Sequence, residues 1–407
     1  MSAIEDILKT RSGIAELRPG QLVTVPVDHV YLQDGNTPTV RRLMSQHAFY
    51  RVFDPKRISV FFDHSVLSPA EAMTDRLREA EAFAHEFNLQ VYRAGRGISH
   101  VVALEEGIYQ PGAIVVGADS HTCTGGVVQC LSLGMGASDI VASMVTGQTW
   151  LRVPETIWIS VAGKPSRAAR SKDVVLYALS TFGQKPFLYK SVQWYGEWFN
   201  SISLDSAATV ANMGVELGCK CCFLPENRDR RDLADLSPKS DEDARVLKLD
   251  VEGLPPMVAR PHEPGRAVPL NECAGQVIDY VFIGTCTNGR LDDLAEVATI
   301  VRDQTIARNV HCIVTPGSLK VYREALSAGI IDQLVAAGAL VTPPGCGACV
   351  GTQGTVPASD DRVLATSARN FRGRMGARTA SIWLSSPAVA AFTALLGHIP
   401  DLEEMDR

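Results

Sequence analysis

The first part of the chain alternates short apolar runs with amphipathic stretches. Residues 58–62, 89–92 and 113–117 are short, mostly apolar runs of the length and composition of buried strands. Residues 70–87 carry Ala, Leu and Phe at helical spacing with charges between them, which predicts a helix. Strand, helix and strand in this order predict a parallel α/β sheet covered by helices.

Polar residues follow three of the apolar runs directly. In open α/β sheets, ligands bind outside the carboxyl ends of the strands, so residues from separate segments meet in one cleft. The sequence therefore predicts a shared cleft formed by Asp63-His64 after residues 58–62, Asp119-Ser120-His121 after residues 113–117, and Thr285-Cys286-Thr287-Asn288 after residues 280–283.

Two positions suggest domain boundaries in this 407-residue chain, which is too long for one ordinary core. A strand over 156–161 runs into Gly163-Lys164-Pro165, and Pro255-Pro256 begins a second proline-rich stretch. Residues 225–245 are rich in charge and poor in large apolar side chains, as in a surface loop or linker. We predict domains over residues 1–162, 163–254 and 255–407.

Composition and charge narrow the classes of function. A net charge of −6 argues against a general nucleic-acid binder, although a local basic pocket for an anionic substrate remains compatible with it. No apolar run approaches the roughly 18–20 residues that span a bilayer, and the amino terminus lacks the order of a secretory signal. We therefore expect a cytoplasmic protein without membrane contact; an organellar form with a removed presequence is the alternative.

The cysteines carry the most specific chemical signal. Ten cysteines in a large chain without an export signal are more often core residues, metal ligands or catalytic groups than disulfides. Cys346 and Cys349 form a C-x-x-C among glycines, and Cys286 lies upstream in a similar setting. This pattern is compatible with a redox dithiol, with a zinc site completed by histidine, or with an iron–sulfur cluster whose fourth iron is open.

Several segments together resemble the aconitase superfamily, most closely the large (catalytic) subunits of the isopropylmalate isomerase and homoaconitase type. They occur in the family's order from near residue 20 to near residue 400. The matching segments are Phe62-Asp63-His64, residues 95–100 (GRGISH), residues 117–122 (GADSHT), residues 283–289 (IGTCTNG), residues 345–351 (GCGACVG) and residues 369–376 (RNFRGRMG).

The resemblance implies the fold class, the cofactor and the partners. It implies three α/β/α domains around a central [4Fe–4S] cluster, without the swivelling fourth domain that carries the family's proton-abstracting serine. In two-subunit members that domain is a separate small subunit, so a small-subunit partner is expected. The implied activity is a hydro-lyase reaction, dehydration and rehydration, on a small 2-hydroxy di- or tricarboxylic acid such as an alkylmalate.

The resemblance also assigns roles to residues of this chain. Each role is carried over by position in the matching segments. The cluster ligands are Cys286, Cys346 and Cys349; the catalytic residues are Asp63, His64, His100 and Asp119, which handle the hydroxyl proton, and His121, which lies near the substrate and cluster; and the substrate-binding residues are Gln33, Ser120, Arg369 and Arg374.

Two departures from the family pattern lie close to these segments. The glutamate expected near the cluster corresponds to Gln193, and the asparagine expected before the first arginine corresponds to Ala368. An amide cannot take up a proton as a carboxylate does. These departures leave two alternatives to an isomerase: a dedicated dehydratase or hydratase of a modified malate, and a cluster-bearing sensor that has lost catalysis.

Overall fold

The structure is a computed structural model, and it describes residues 2–225 and 245–406. Its strands form four sheets. The strands are β1 (Leu22–Pro26), β2 (His29–Gln33), β3 (Ile58–Phe61), β4 (Gln90–Tyr92), β5 (Ile114–Gly117), β6 (Leu131–Gly134), β7 (Gln148–Arg152), β8 (Thr156–Ala162), β9 (Ser191–Tyr195), β10 (Cys221–Phe223), β11 (Arg245–Asp250), β12 (Met257–Ala259), β13 (Ala267–Pro269), β14 (Tyr280–Gly284), β15 (His311–Thr315), β16 (Leu340–Val341), β17 (Arg362–Ala365) and β18 (Ser381–Leu384).

The helices cover the sheets and connect successive parallel strands. Two of the 3₁₀ helices, Ser120–Val128 and Gly347–Val350, carry residues of the predicted site. The α-helices are α1 (Ala3–Ser12), α2 (Thr37–Gln46), α3 (Glu71–Glu86), α4 (Ser99–Glu105), α5 (Ala137–Thr146), α6 (Ser171–Phe182), α7 (Leu204–Asn212), α8 (Gly214–Leu217), α9 (Thr285–Asn288), α10 (Leu291–Val301), α11 (Leu319–Ser327), α12 (Ile330–Ala336), α13 (Pro387–Leu396) and α14 (Leu402–Met405).

The first sheet confirms the parallel α/β arrangement predicted from the sequence. Its five strands lie in the order β4-β3-β2-β5-β6, and every neighbouring pair is parallel. The four residues of β3 and the four of β5 are all buried, which explains their continuous apolar runs. Helix α3 lies within the predicted helix over residues 70–87. A separate antiparallel ribbon pairs β1 with β7.

The second and third sheets follow in chain order. The second is parallel, in the order β10-β9-β8-β11. The third has the order β13-β12-β18-β17-β14-β15-β16; it is parallel from β18 to β16 and antiparallel at its β13-β12 edge. Most of the predicted linker over residues 225–245 lies outside the described residues.

The three large sheets occupy residues 29–134, 156–250 and 257–384 in turn. Their cores are not separated in the same way, because one cluster of buried apolar side chains runs from β8 and β9 of the second sheet to β14 and β17 of the third. The domain limits at residues 162 and 254 therefore stay a prediction. Within the part of the chain that the structure describes, none of the helices combines the length and apolarity needed to cross a membrane.

Candidate active site

Most of the predicted site residues line one cavity. The first sheet contributes the segments after β3, β4 and β5, and the third contributes the segments after β14, β16 and β17. This is the common cleft that the sequence predicted at the strand ends. The cavity is lined by His64, Ile98, His100, Asp119, His121, Thr285, Cys286, Thr287, Cys346, Cys349, Val350, Ala368, Arg369 and Arg374.

The first Asp–His pair lies directly after β3. His64 Nδ1 is 2.6 Å from Asp63 Oδ1, and the other carboxylate oxygen of Asp63 accepts a hydrogen bond from the Ser99 amide at 2.7 Å. Burial disfavours the imidazolium form, but the charge and hydrogen bond of Asp63 outweigh it and raise the pKa of His64 to about 10. His64 is therefore poised to hold a proton beside the cavity.

The second cluster of acid–base groups is centred on Asp119. Its Oδ1 lies 3.0 Å from His100 Nε2 and 3.3 Å from His121 Nδ1, and accepts the His121 amide at 2.8 Å. Burial opposes ionisation of Asp119, yet its hydrogen bonds with both histidines hold its pKa well below the usual range. Burial likewise opposes protonation of His121, but hydrogen bonding to Asp119 and Glu216 raises its pKa.

The cysteine loops depend on unusual backbone conformations. Cys286 follows Gly284, at φ +150°, and Thr285, at φ +78°. A Cβ on Gly284 would lie 2.4 Å from the Thr315 carbonyl oxygen, so only glycine fits there. A left-handed threonine costs of order 1–3 kcal/mol, and such strain is concentrated at functional sites. The loop is thus built to present Cys286 at the cavity.

The three cavity cysteines are spaced too widely for all of their sulfurs to bind one zinc ion. All ten cysteines lie in the described residues and are free thiols, so no disulfide competes. A single tetrahedral zinc ion needs sulfurs about 3.8 Å apart, from Zn–S bonds of about 2.3 Å. The donor groups within 4.8 Å of one another are Asp63–His64–Cys346 and His100–Asp119–His121, whereas Cys286, Cys346 and Cys349 together form no such compact group.

Burial keeps the thiols of Cys286 and Cys346 protonated in the metal-free chain. It raises the pKa of Cys286 to about 12 and that of Cys346 well above its usual range. Loading a metal group must therefore displace these protons, because the thiolate is the ligand. Arg374 supplies compensating positive charge, since its Nη2 lies 3.4 Å from Cys349 Sγ.

Arg369 and Glu216 form a partly buried ion pair that the sequence analysis missed. Arg369 Nε donates to Glu216 Oε1 at 2.6 Å, and Arg369 Nη2 donates to Ser120 Oγ at 2.9 Å. Glu216 Oε1 also lies 3.4 Å from His121 Nε2. A carboxylate inside the otherwise apolar helix α8, after Met213, was the available signal, because a buried charge needs a partner.

Two predicted substrate-binding residues lie behind the cavity wall. Gln33 is fully buried at the end of β2, where its side chain bonds Ser99 Oγ at 3.0 Å and Asn36 at 3.1 Å. Ser120 does not line the cavity but holds Arg369. The remaining predicted residues line the cavity, except Asp63, which bonds His64 from behind. Contact of Gln33 and Ser120 with substrate remains a prediction.

One of the two expected departures from the family pattern is wrong. Gln193 is fully buried in β9, where its Oε1 accepts the Ala3 amide at 2.9 Å, so it does not line the cavity. Glu216 supplies a carboxylate near the cavity through its contacts with Arg369 and His121. Ala368 does line the cavity, so at that position an amide is absent from its wall.

The chain is similar to known proteins over nearly its whole length. The sequence model of the aconitase family (aconitate hydratase) matches residues 20–233 and 229–397. A probable methanogen homoaconitase large subunit from Methanothermobacter thermautotrophicus is 37% identical, with 98% of this chain and 97% of that protein covered. The 3-isopropylmalate dehydratase large subunit 1 of Pyrococcus furiosus is 36% identical, with 100% and 99% covered.

The fold has a counterpart among solved structures. Aconitase X from Thermococcus kodakaraensis, in its holo form, matches with a TM-score of 0.56 and 10% sequence identity, covering 99% of this chain and 94% of that one. This likeness supports the arrangement of α/β layers. Together with the family match and the full-length relatives, it shows that the chain belongs to the aconitase family and is a hydro-lyase of that family.

Proposed function

We propose that the chain is the large subunit of a two-subunit enzyme that dehydrates and rehydrates a small 2-hydroxy di- or tricarboxylic acid, using a [4Fe–4S] cluster on Cys286, Cys346 and Cys349. The supporting observation is the convergence of these three cysteines, two Asp–His units and two arginines on one cavity. The relatives, a probable homoaconitase large subunit and a 3-isopropylmalate dehydratase large subunit, agree with this substrate class.

The cluster would supply, when bound, an iron with an open position that acts as a Lewis acid on the leaving hydroxyl group. The protein binds the rest of the substrate. Arg374 lines the cavity, and among the described residues its Nε has no hydrogen-bond partner, so it can donate to a substrate carboxylate. Glu216 and Ser120 hold Arg369 so that its guanidinium stays at the cavity edge.

The Asp–His units handle the hydroxyl proton. In the dehydration direction, a proton held by His64 or by the His100–Asp119 unit passes to the departing hydroxyl, and in rehydration the same group recovers it from water. The carboxylates orient the rings: Asp63 is 2.6 Å from His64, and Asp119 is 3.0 Å from His100. Proton removal from substrate carbon is assigned to the small subunit, as the family resemblance implies.

Whether the alkene is released or rehydrated at the neighbouring carbon separates a dehydratase from an isomerase. Ala368 keeps the dehydratase alternative open, because it removes an amide from the cavity wall where the family has one. Following alkene absorbance and the two hydroxy-acid isomers over time distinguishes the two reactions. Accumulation of alkene without the second isomer identifies the dehydratase.

The function can be tested by anaerobic reconstitution of the full chain with iron, sulfide and a small subunit of the isopropylmalate or homoaconitase type. Several 2-hydroxy diacids and triacids are then assayed for alkene formation. We expect activity with at least one of them, and none with the triple variant Cys286→Ala, Cys346→Ala, Cys349→Ala. Cys312→Ala, at a buried free cysteine of β15, is the matched control and should retain activity. Full activity of the triple variant contradicts the proposal.

A further inference from the structure

A lysine side chain lies buried behind the wall of the active-site cavity. Lys172, in the first turn of α6, is completely buried, and its Nζ donates to the Ser367 carbonyl oxygen at 2.7 Å. Ser367 comes directly before Ala368, which lines the cavity. Lys172 also lines a second cavity together with Thr209, whose Oγ1 donates to the Thr287 carbonyl oxygen at 2.8 Å. The ammonium group therefore lies behind the segments that follow β14 and β17.

This ammonium group has only weak counterions among the carboxylates. Those that act on it most strongly are Asp173 and Asp293. Asp173 already accepts hydrogen bonds from the amides of Arg170 and Met257, at 2.6 and 2.8 Å. Burial raises the pKa of Asp173 and that of Asp293 to about 7, so neither is fully ionised at neutral pH. In the part of the chain that the structure describes, no carboxylate forms an ion pair with Lys172.

The other negative charges that act on Lys172 come from cavity cysteines. Burial lowers the pKa of Lys172 to about 7, while thiolates at Cys349 and Cys286 act in the opposite direction and favour the ammonium form. A bound cluster fixes these cysteines as thiolates, because the thiolate is the ligand. The interaction is reciprocal, so a positive charge on Lys172 stabilises the thiolates. It stabilises the reduced cluster more than the oxidised one, because reduction adds negative charge.

We propose that Lys172 is a positioning residue whose ammonium group, held behind Cys286 and Cys349, favours loading of the cluster and raises its reduction potential. The inference rests on the cluster of the proposed function, and on none of its catalytic steps. The alternative is a purely structural role, in which Lys172 only supplies a hydrogen bond to the Ser367 carbonyl oxygen. A neutral hydrogen-bond donor can replace Lys172 in the structural role but not in the electrostatic one.

The test is an anaerobic redox titration of the reconstituted full chain, followed by electron paramagnetic resonance without substrate. Lys172→Met keeps the length of the side chain and removes both charge and donor, whereas Lys172→Gln keeps a donor. We expect both variants to shift the reduction equilibrium about tenfold toward the oxidised cluster, a lowering of about 59 mV for one electron. Lys185→Gln, which removes an exposed charge just after α6, is the matched control and should leave the equilibrium unchanged.

The outcomes separate charge from structure. A wild-type potential in Lys172→Gln assigns the residue a structural role and overturns the inference, whatever the potential of Lys172→Met. Thermal unfolding of the cluster-free chains shows whether each variant is folded. If Lys172→Met does not fold, Lys172→Gln decides by itself. A folded Lys172→Gln that takes up less iron and sulfide than Lys185→Gln supports the effect on loading.

Failure of the inference can be told apart from failure of the proposed function. A wild-type chain that takes up no iron and sulfide refutes the cluster of the proposed function, and the inference with it. A loaded wild type whose potential matches that of both Lys172 variants refutes the inference alone. Absence of activity on every hydroxy acid leaves the redox titration unaffected.

Discussion

At the level of single residues, Glu216 contacts both an arginine and a histidine of the site. It neutralises Arg369 and places a second carboxylate near His121, whose other nitrogen faces Asp119. The Glu216 side chain is 8% exposed and that of Arg369 is 23% exposed. Removing one partner of such a pair leaves the other charge without compensation, which costs more than the intact pair contributes.

Glu216→Gln should therefore affect both stability and catalysis. We expect the free energy of unfolding to fall by about 1.5–3 kcal/mol, the range for hydrogen bonds to charged groups. We expect kcat to fall about 10- to 100-fold, as for other residues that orient catalytic groups. Urea unfolding and steady-state assays measure these effects. Glu155→Gln, which breaks the exposed ion pair with Lys190, is the control and should have only a small effect. If Glu216→Gln has an equally small effect, Glu216 does not support Arg369 and His121 in the way described.

Single residues show how far the sequence could lead. The positions of Asp63-His64, Asp119 and Cys286 were predictable because these residues directly follow apolar strands, whereas the place of His100 and the role of the cysteines rested on the family resemblance. Gln33 follows a strand as well, but its side chain turns inward to Ser99, and no local pattern encodes that direction. Gln193 was expected near the site, and Glu216 was missed. The distance of each side chain from the cavity depends on how the second sheet packs, which involves contacts between residues far apart in the chain.

At the level of elements, the C-x-x-C turn depends on one glycine. Gly347 has φ +57°, and an added Cβ would lie 2.7 Å from Thr315 Oγ1 and 3.0 Å from the Phe282 ring. Gly347→Ala should destabilise the turn by about 1–3 kcal/mol and lower the iron content per chain after reconstitution. Gly354→Ala is the matched control, because nothing lies within 4 Å of its added Cβ. Equal iron content in both variants would show that the turn tolerates the strain.

The first sheet contains a partly buried histidine that should make stability depend on pH. His29 in β2 is 2.8 Å from Ser59 Oγ of β3, and burial together with the charge of Arg57 lowers its pKa to about 4. Because the ordinary value is 6.5, the unfolded chain takes up this proton first as the pH falls. The contribution of neutral His29 to the free energy of unfolding is therefore fully present above pH 6.5, and it is lost as the pH falls from about 6.5 to 4.

This prediction is tested by measuring the free energy of unfolding in urea for the wild type and for His29→Gln across that pH range. The wild type should lose at most about 3 kcal/mol more than His29→Gln between pH 6.5 and 4. His311→Gln, at an exposed position that begins β15, controls for the loss of a histidine and should follow the wild type. Parallel curves for wild type and His29→Gln would remove His29 as the source.

At the level of the whole molecule, the site exists because the first and third sheets are joined by backbone contacts. The Cys346 amide donates to the Asp63 carbonyl oxygen at 2.9 Å, and Ile98 donates to Gly317 at 2.8 Å. The α/β class was predictable from strand periodicity, since each sheet is built from local βα units. The continuity of the core between the second and third sheets was not, because it depends on which sheet faces meet.

The last prediction concerns what the assembled chain can do by itself. In the proposed reaction its cavity supplies groups for the hydroxyl proton and for carboxylates, and the base that attacks the C–H bond belongs to a small subunit. The reconstituted large chain alone should bind a 2-hydroxy acid, seen as a change in the electron paramagnetic resonance spectrum of the reduced cluster. Its turnover should stay below about 1% of the two-subunit rate, because loss of a general base costs roughly 10²–10⁴-fold. Arg374→Lys, which removes the planar guanidinium, should weaken binding in both preparations. Turnover should rise saturably as small subunit is added, and full turnover by the large chain alone would place the base within this chain.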